Sequence, residues 1–152
     1  MNERTVVYTI NCAEKKDVHR HLMDCDKLFI PPLSLKVNIE DYSKKIVEKA
    51  DTFEAWVEGE LIGLIAAYCN NFEVREAYIT NVSVVETFGD RGIASELLSM
   101  CIQYAYNLKF NWIKLKVNKN SDKARNLYKI YDFREIGFEE EFVLMRRKVK
   151  DE

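Results

Sequence analysis

The sequence predicts an α+β fold of about seven strands and about four helices, and three observations lead there. Apolar residues run or alternate in seven short stretches and recur at helical spacing in four longer ones. Turn residues, Glu58-Gly59-Glu60 and Asn70-Asn71, separate three successive apolar stretches, as between antiparallel strands. One stretch, Tyr78 to Leu98, passes from strand period to helix period through a tight glycine turn.

Taken in order, Val6 to Ile10 is a short β-branched run and reads as the first strand. Asn11 is placed to cap the helix that Val18, Leu22 and Cys25 predict over Ala13 to Cys25. His19 and His21 in that helix point to different faces, so they share no metal; one is expected in solvent and one partly packed. Asp26 to Ser34 holds Pro31 and Pro32, which exclude a helix interior. Its Phe29, Ile30 and Leu33 either pack onto the core or line a substrate pocket. Ile39 to Ala50 is a second amphipathic helix. Phe53 to Val57 and Leu61 to Tyr68 form a hairpin, and the strand beginning near Arg75 follows. A helix ends near Leu108, a strand spans Trp112 to Val117, and Ser121 is placed to cap a fourth helix. Strands near Phe133 to Phe138 and Phe142 to Lys148 close the chain.

At 152 residues the chain suits one domain, residues 1–152, and 47% apolar content is enough for a sizeable core. The net charge of -2 implies no bulk attraction to nucleic acid or to an anionic membrane, and neither is expected as a partner. No apolar run approaches membrane-spanning length, and Met1 to Val7 does not read as a signal peptide. Cys12, Cys25, Cys69 and Cys101 lack Cys-x-x-Cys spacing. They read as reduced thiols in a cytoplasmic protein, with no metal site expected.

The glycine turn carries the chemical signal. A strand that turns through Gly89-Asp90-Arg91-Gly92-Ile93-Ala94 into a helix aims free backbone N–H groups and the positive helix end outward. That arrangement suits a phosphate or pyrophosphate. Neither a Walker sequence nor the dinucleotide Gly-x-Gly-x-x-Gly is present.

Two segments resemble the GNAT superfamily of acyl-CoA-dependent N-acetyltransferases. Val84 to Leu98 is similar to the family's acyl-CoA motif, Arg/Gln-x-x-Gly-x-Gly/Ala after a valine-rich strand. Asn120 to Phe133 is similar to its Asn-x-x-Ala-x-x-Leu-Tyr-x-x-x-Gly-Phe segment. The order of elements agrees, closely from about residue 50 to 148 and loosely before it. Four positions depart from the pattern. Gly89 stands where the family has Arg or Gln, Asp90 adds a negative charge that Arg91 offsets, Ser121 replaces the commonest Asn, and Asp132 replaces the glycine before Phe133.

The resemblance implies a central mixed, mostly antiparallel sheet of about seven strands flanked by about four helices. It implies acetyl-CoA as co-substrate, without a metal. The pyrophosphate would lie on Gly89, Asp90, Arg91, Gly92, Ile93 and Ala94, beside Asn120, and the pantetheine and thioester along Val82, Ser83 and Val84. A primary amine of a small molecule, such as an amino sugar or amine metabolite, would attack the acetyl group directly. Tyr128 matches the family's helical tyrosine and would protonate the leaving thiolate, and Glu76 is the candidate base. Phe29, Ile30 and Leu33 are the candidate acceptor contacts. A homodimer stays open, and the alternative is a non-catalytic acyl-CoA-binding or partner-binding module on the same fold.

Overall fold

The computed structural model describes residues 5–149. Strand β1 (Val7–Ile10) leads to helix α1 (Lys15–Cys25). The helix is not capped by Asn11. Glu14 and Asp17 form a reciprocal capping box instead, and Asn11, at φ 59°, binds Asp51 and the N–H of Thr52. Two single turns of 3-10 helix, Asp26–Leu28 and Leu33–Leu35, follow. Helix α2 (Ile39–Lys49) starts at Asn38, whose side chain accepts from the Asp41 N–H at 3.0 Å.

Strands β2 (Asp51–Val57) and β3 (Glu60–Tyr68) form a hairpin. Its two-residue turn places Glu58 and Gly59 both at positive φ, the geometry that matches strand twist. Strand β4 (Glu76–Val84) is followed by a turn, Glu86–Phe88, and helix α3 (Ile93–Asn107). Then come β5 (Trp112–Asn118), α4 (Asp122–Ile130), β6 (Arg134–Glu139) and β7 (Phe142–Lys148). Ser121 precedes α4, but its side chain makes no capping bond.

All seven strands form one sheet in the order β1-β2-β3-β4-β5-β7-β6. Every pairing is antiparallel except β4 with β5, whose connection passes through α3. One face carries α3 and α4 over a core that includes Phe53, Ile65, Leu97, Leu98, Ile113 and Met145. The other face carries α1 and α2 over Val18, Leu22, Ile46, Leu61 and Leu64. Gly63 on β3 lets α3 approach closely: a Cβ there would stand 2.9 Å from Ile93 Cγ2. The first turn of α3 is thereby seated against the sheet beside the end of β4.

Candidate active site

The site begins as an interruption of the sheet. Strands β4 and β5 pair only from Glu76↔Trp112 to Ile79↔Leu115. Against β3, the register steps from Ala67↔Ile79 to Ala66↔Asn81, so Thr80 is an extra residue, a β-bulge. A bulge bends its strand and increases local twist. Beyond it, Asn81 to Val84 stay on β3 and no longer pair with β5, so a gap opens between two strands that are parallel neighbours.

Main-chain groups line that gap. The Val85 N–H donates to Ile62 O at 2.9 Å. Antiparallel alternation then turns the main-chain groups of Ser83 toward β3 and those of Val82 and Val84 toward the gap. The side chains of Val82 and Val84 lie on the α3 face, whereas Ser83 is buried toward α1.

The glycine turn sits at the open end of the gap. Gly92 is the residue before α3 and takes φ 76°, and Asp90 takes φ 62°. Among the described residues, no protein acceptor is recorded for the N–H groups of residues 90 to 95. Six successive donors are therefore left without a protein acceptor at the positive end of the α3 dipole. Donors of that number suit a pyrophosphate, and the residues present fit a coenzyme A phosphate group. Asp90 does not oppose this, because its carboxylate pairs with Lys123 on the first turn of α4. Arg91 lies over the Phe88 ring at 5.4 Å.

Helix α4 packs on this same face, its first turn joined to the glycine turn by the Lys123–Asp90 pair. Asn120 is exposed, and its N–H donates to the Asn118 side chain at 2.9 Å, which shapes the turn into the helix. Tyr128 is only 5% exposed, against Phe133 with ring centroids 5.8 Å apart. Among the described residues no hydrogen bond holds its hydroxyl, and burial raises its pKa well above the usual tyrosine value. The phenol is therefore neutral across the physiological range.

On the opposite face two helices hold β4 at and beyond the bulge. The Tyr42 hydroxyl of α2 donates to Thr80 O at 2.9 Å and lies 2.8 Å from Thr80 Oγ1. Burial pushes its pKa up to about 12, against the opposing effect of those bonds. His21 of α1 is 1% exposed, with Nδ1 at 3.2 Å from Leu61 O and Nε2 at 2.9 Å from Ser83 Oγ. A carbonyl only accepts, so Nδ1 carries a proton toward Leu61, while the Ser83 hydroxyl beside Nε2 donates to Asn81 Oδ1 at 2.8 Å. Burial pushes the ring pKa down to about 4.

Other candidates lie apart from this cluster. Glu76 is at the closed end of the β4–β5 pair, six residues or about 20 Å along the strand from Val82. Arg146 holds its carboxylate at 2.9 Å. Glu54 is fully buried and accepts from the Cys12 and Ala13 N–H groups and the Thr9 and Thr52 hydroxyls, so it fastens the start of α1. Leu33 packs in the α1–α2 core, Phe29 lies at its edge, and Ile30 is 50% exposed. Thr80, Tyr42, Asn118 and Lys123 belong to the site's frame and were not singled out as site residues from sequence. The only local signal for Tyr42 was its place in the apolar period of α2.

The comparisons with known proteins agree with this geometry. The sequence matches the acetyltransferase (GNAT) family over residues 16–133. No curated protein matches the chain. The fold is similar to that of the ribosomal-protein-S18-alanine N-acetyltransferase from Escherichia coli, with TM-score 0.73 and 15% identity over 96% of each chain. It is similar to PaiA N-acetyltransferase from Thermoplasma acidophilum in complex with coenzyme A, with TM-score 0.72 and 12% identity over 93% of this chain and 99% of that one. It is similar as well to a GNAT family acetyltransferase from Elizabethkingia anophelis with acetyl-CoA bound, with TM-score 0.71 and 18% identity over 94% and 97%. The family match covers well over half of the chain, and the protein belongs to the GNAT acetyltransferase family.

Proposed function

We propose that the protein is an N-acetyltransferase that moves an acetyl group from acetyl-CoA to the primary amine of a small molecule. The observation that carries this reading is the β4–β5 gap with six unaccepted N–H groups at its open end. Two neighbours of the same fold hold coenzyme A or acetyl-CoA, which supports acetyl-CoA as co-substrate. The N–H groups of residues 90 to 95 would bind the pyrophosphate, and the main-chain groups of Val82 and Val84 would hold the acyl arm by strand-like hydrogen bonds.

An N–H turned into the gap would also donate to the thioester oxygen as charge develops there. The amine nitrogen attacks the carbonyl carbon, the C–S bond breaks, and the nitrogen releases its proton to water. Tyr128 would give its phenolic proton to the departing sulfur and recover one from solvent. The reading assigns no base to Glu76, since Arg146 already engages it. The amine would therefore enter in its neutral form.

The test is thermal unfolding with acetyl-CoA, CoA and ATP, followed by thiol release with a panel of amines. Ligand at a hundred times its dissociation constant adds roughly 2.7 kcal/mol, a rise of several degrees in a domain of this size. A rise with acetyl-CoA and CoA but not ATP, and transfer to an amine, is the expected result. A rise without transfer to any amine would make the protein a non-catalytic acyl-CoA-binding module. No rise would remove the cofactor site.

A further inference from the structure

The gap passes through the sheet and opens on two faces of different character. The phosphate-binding turn, α3 and α4 occupy one. On the other, α1 and α2 pack over β2, β3 and the bulge of β4, and no helix among the described residues covers β5, β7 and β6. Strand alternation brings Tyr78, Lys114, Lys116, Phe142 and Arg146 together on that uncovered face. Lys116 immediately follows Leu115, the last β5 residue paired with β4, so it stands at the lip of the gap.

The charge on this face runs against that of the chain. Lys36, Lys114, Lys116, Arg134 and Arg146 outnumber the carboxylates near them among the described residues, Glu76, Glu139 and, acting on Lys116 from the turn, Glu140. Glu76 is engaged by Arg146 and Glu139 by Lys116, each at 2.9 Å. The local balance is thus positive in a protein whose net charge is -2. Lys36 reaches over from the segment after Leu33–Leu35 and stands 4.4 Å above the Phe142 ring, which Lys116 shares at 5.4 Å. Among the described residues Lys36 has no carboxylate partner. Burial, and then the charge of Lys116, lower its pKa. Two ammonium groups held at one aromatic ring thus share a single close carboxylate, that of Glu139 on Lys116.

We propose that the amine acceptor carries an anionic group, a carboxylate or a phosphate, which Lys36 and Lys116 bind on the uncovered face while its amine enters the gap. This rests on the acetyl-transfer reading and narrows its substrate class from any small amine to an acidic one. The Lys36 segment reaches across to Phe142 and roofs the outer side of the lip. That contact narrows the approach on this side and favours a small molecule over an extended polypeptide.

The test compares shape-matched amines: β-alanine with β-alaninamide for a carboxylate, and O-phosphoethanolamine with ethanolamine for a phosphate. The expected result is a kcat/KM at least about tenfold higher for one or both charged members, the size of one charge-assisted hydrogen bond. The Lys36→Gln, Lys116→Gln double variant should lose that preference while its acetyl-CoA dissociation constant stays the same. Lys116→Arg should keep it. Equal rates for charged and neutral members, a preference that survives the double variant, or a preference for an acidic peptide over every small amine would each overturn the proposal. Titration of N-acetyl-β-alanine, O-phosphoethanolamine and their neutral counterparts without acetyl-CoA separates the two readings. Charged-ligand binding without transfer leaves this face standing and the transferase reading lost; transfer without a charge preference does the reverse.

Discussion

The Tyr42 hydroxyl donates to the carbonyl of Thr80 at 2.9 Å, so helix α2 holds the one extra residue that parts β4 from β5. The bond ties together residues 38 positions apart in sequence. Tyr42→Phe removes it and leaves the Thr80 carbonyl to find another donor. A loss of about 1 kcal/mol in stability is expected. Turnover should fall several-fold, because the bulge sets the width of the gap. Thermal unfolding and a thiol-release assay check the two effects, and an unchanged rate would detach the bulge from the chemistry.

His21 predicts an acid limb. Its folded pKa is about 4 against an ordinary 6.5, so the unfolded chain binds the extra proton more readily between those values. Stability is full above about pH 6.5 and declines as pH falls toward 4, by about 3 kcal/mol in total from this group. His21→Gln should flatten that limb, at some cost in stability at pH 7 because the bond to Ser83 is altered. Denaturant unfolding from pH 4 to pH 8 measures it, and an equally steep limb in the variant would assign the effect elsewhere.

Tyr128→Phe leaves the ring against Phe133 and removes only the hydroxyl. A fall in kcat of about a hundredfold is expected, with CoA binding retained. Full turnover in the variant would take Tyr128 out of the mechanism.

Gly92 predicts a separation of two substitutions. A Cβ there would meet nothing within 4 Å, so the cost of a side chain is conformational, from φ 76°. Gly92→Ala should lose about 1 kcal/mol and weaken CoA by tilting the N–H groups. Gly92→Asn should lose less, since Asn accepts the left-handed region more readily. Equal losses, measured by unfolding and CoA titration, would point instead to side-chain bulk at the phosphate.

Much of this was legible in the sequence because it depends on neighbours in the chain. Strand β7 runs over the predicted Phe142 to Lys148, and the Glu58-Gly59 turn makes the expected hairpin. The turn from Gly89 to Ala94 joins a strand to a helix as its glycines suggested. What was hidden depends on distant partners. Nothing near Thr80 announces a bulge, which exists only in register with Ala66 and Ala67. Glu76 looked like an open strand carboxylate, and its partner Arg146 lies 70 residues away. Asn11 looked like a cap, but Glu14 and Asp17 satisfy each other three residues apart, leaving Asn11 to Asp51 and Thr52.

The short parallel pairing of β4 with β5 has a mechanical consequence. Four residue pairs form the whole seam between a four-stranded half, β1 to β4, and a three-stranded half, β5 to β7. Unzipping its last rung, Ile79 against Leu115, would lengthen the slot while both halves keep their own ladders intact. Amide exchange should therefore run faster along this seam than between β2 and β3, although both lie inside the sheet. The sheet's weakest line of pairing ends where the acyl group would sit.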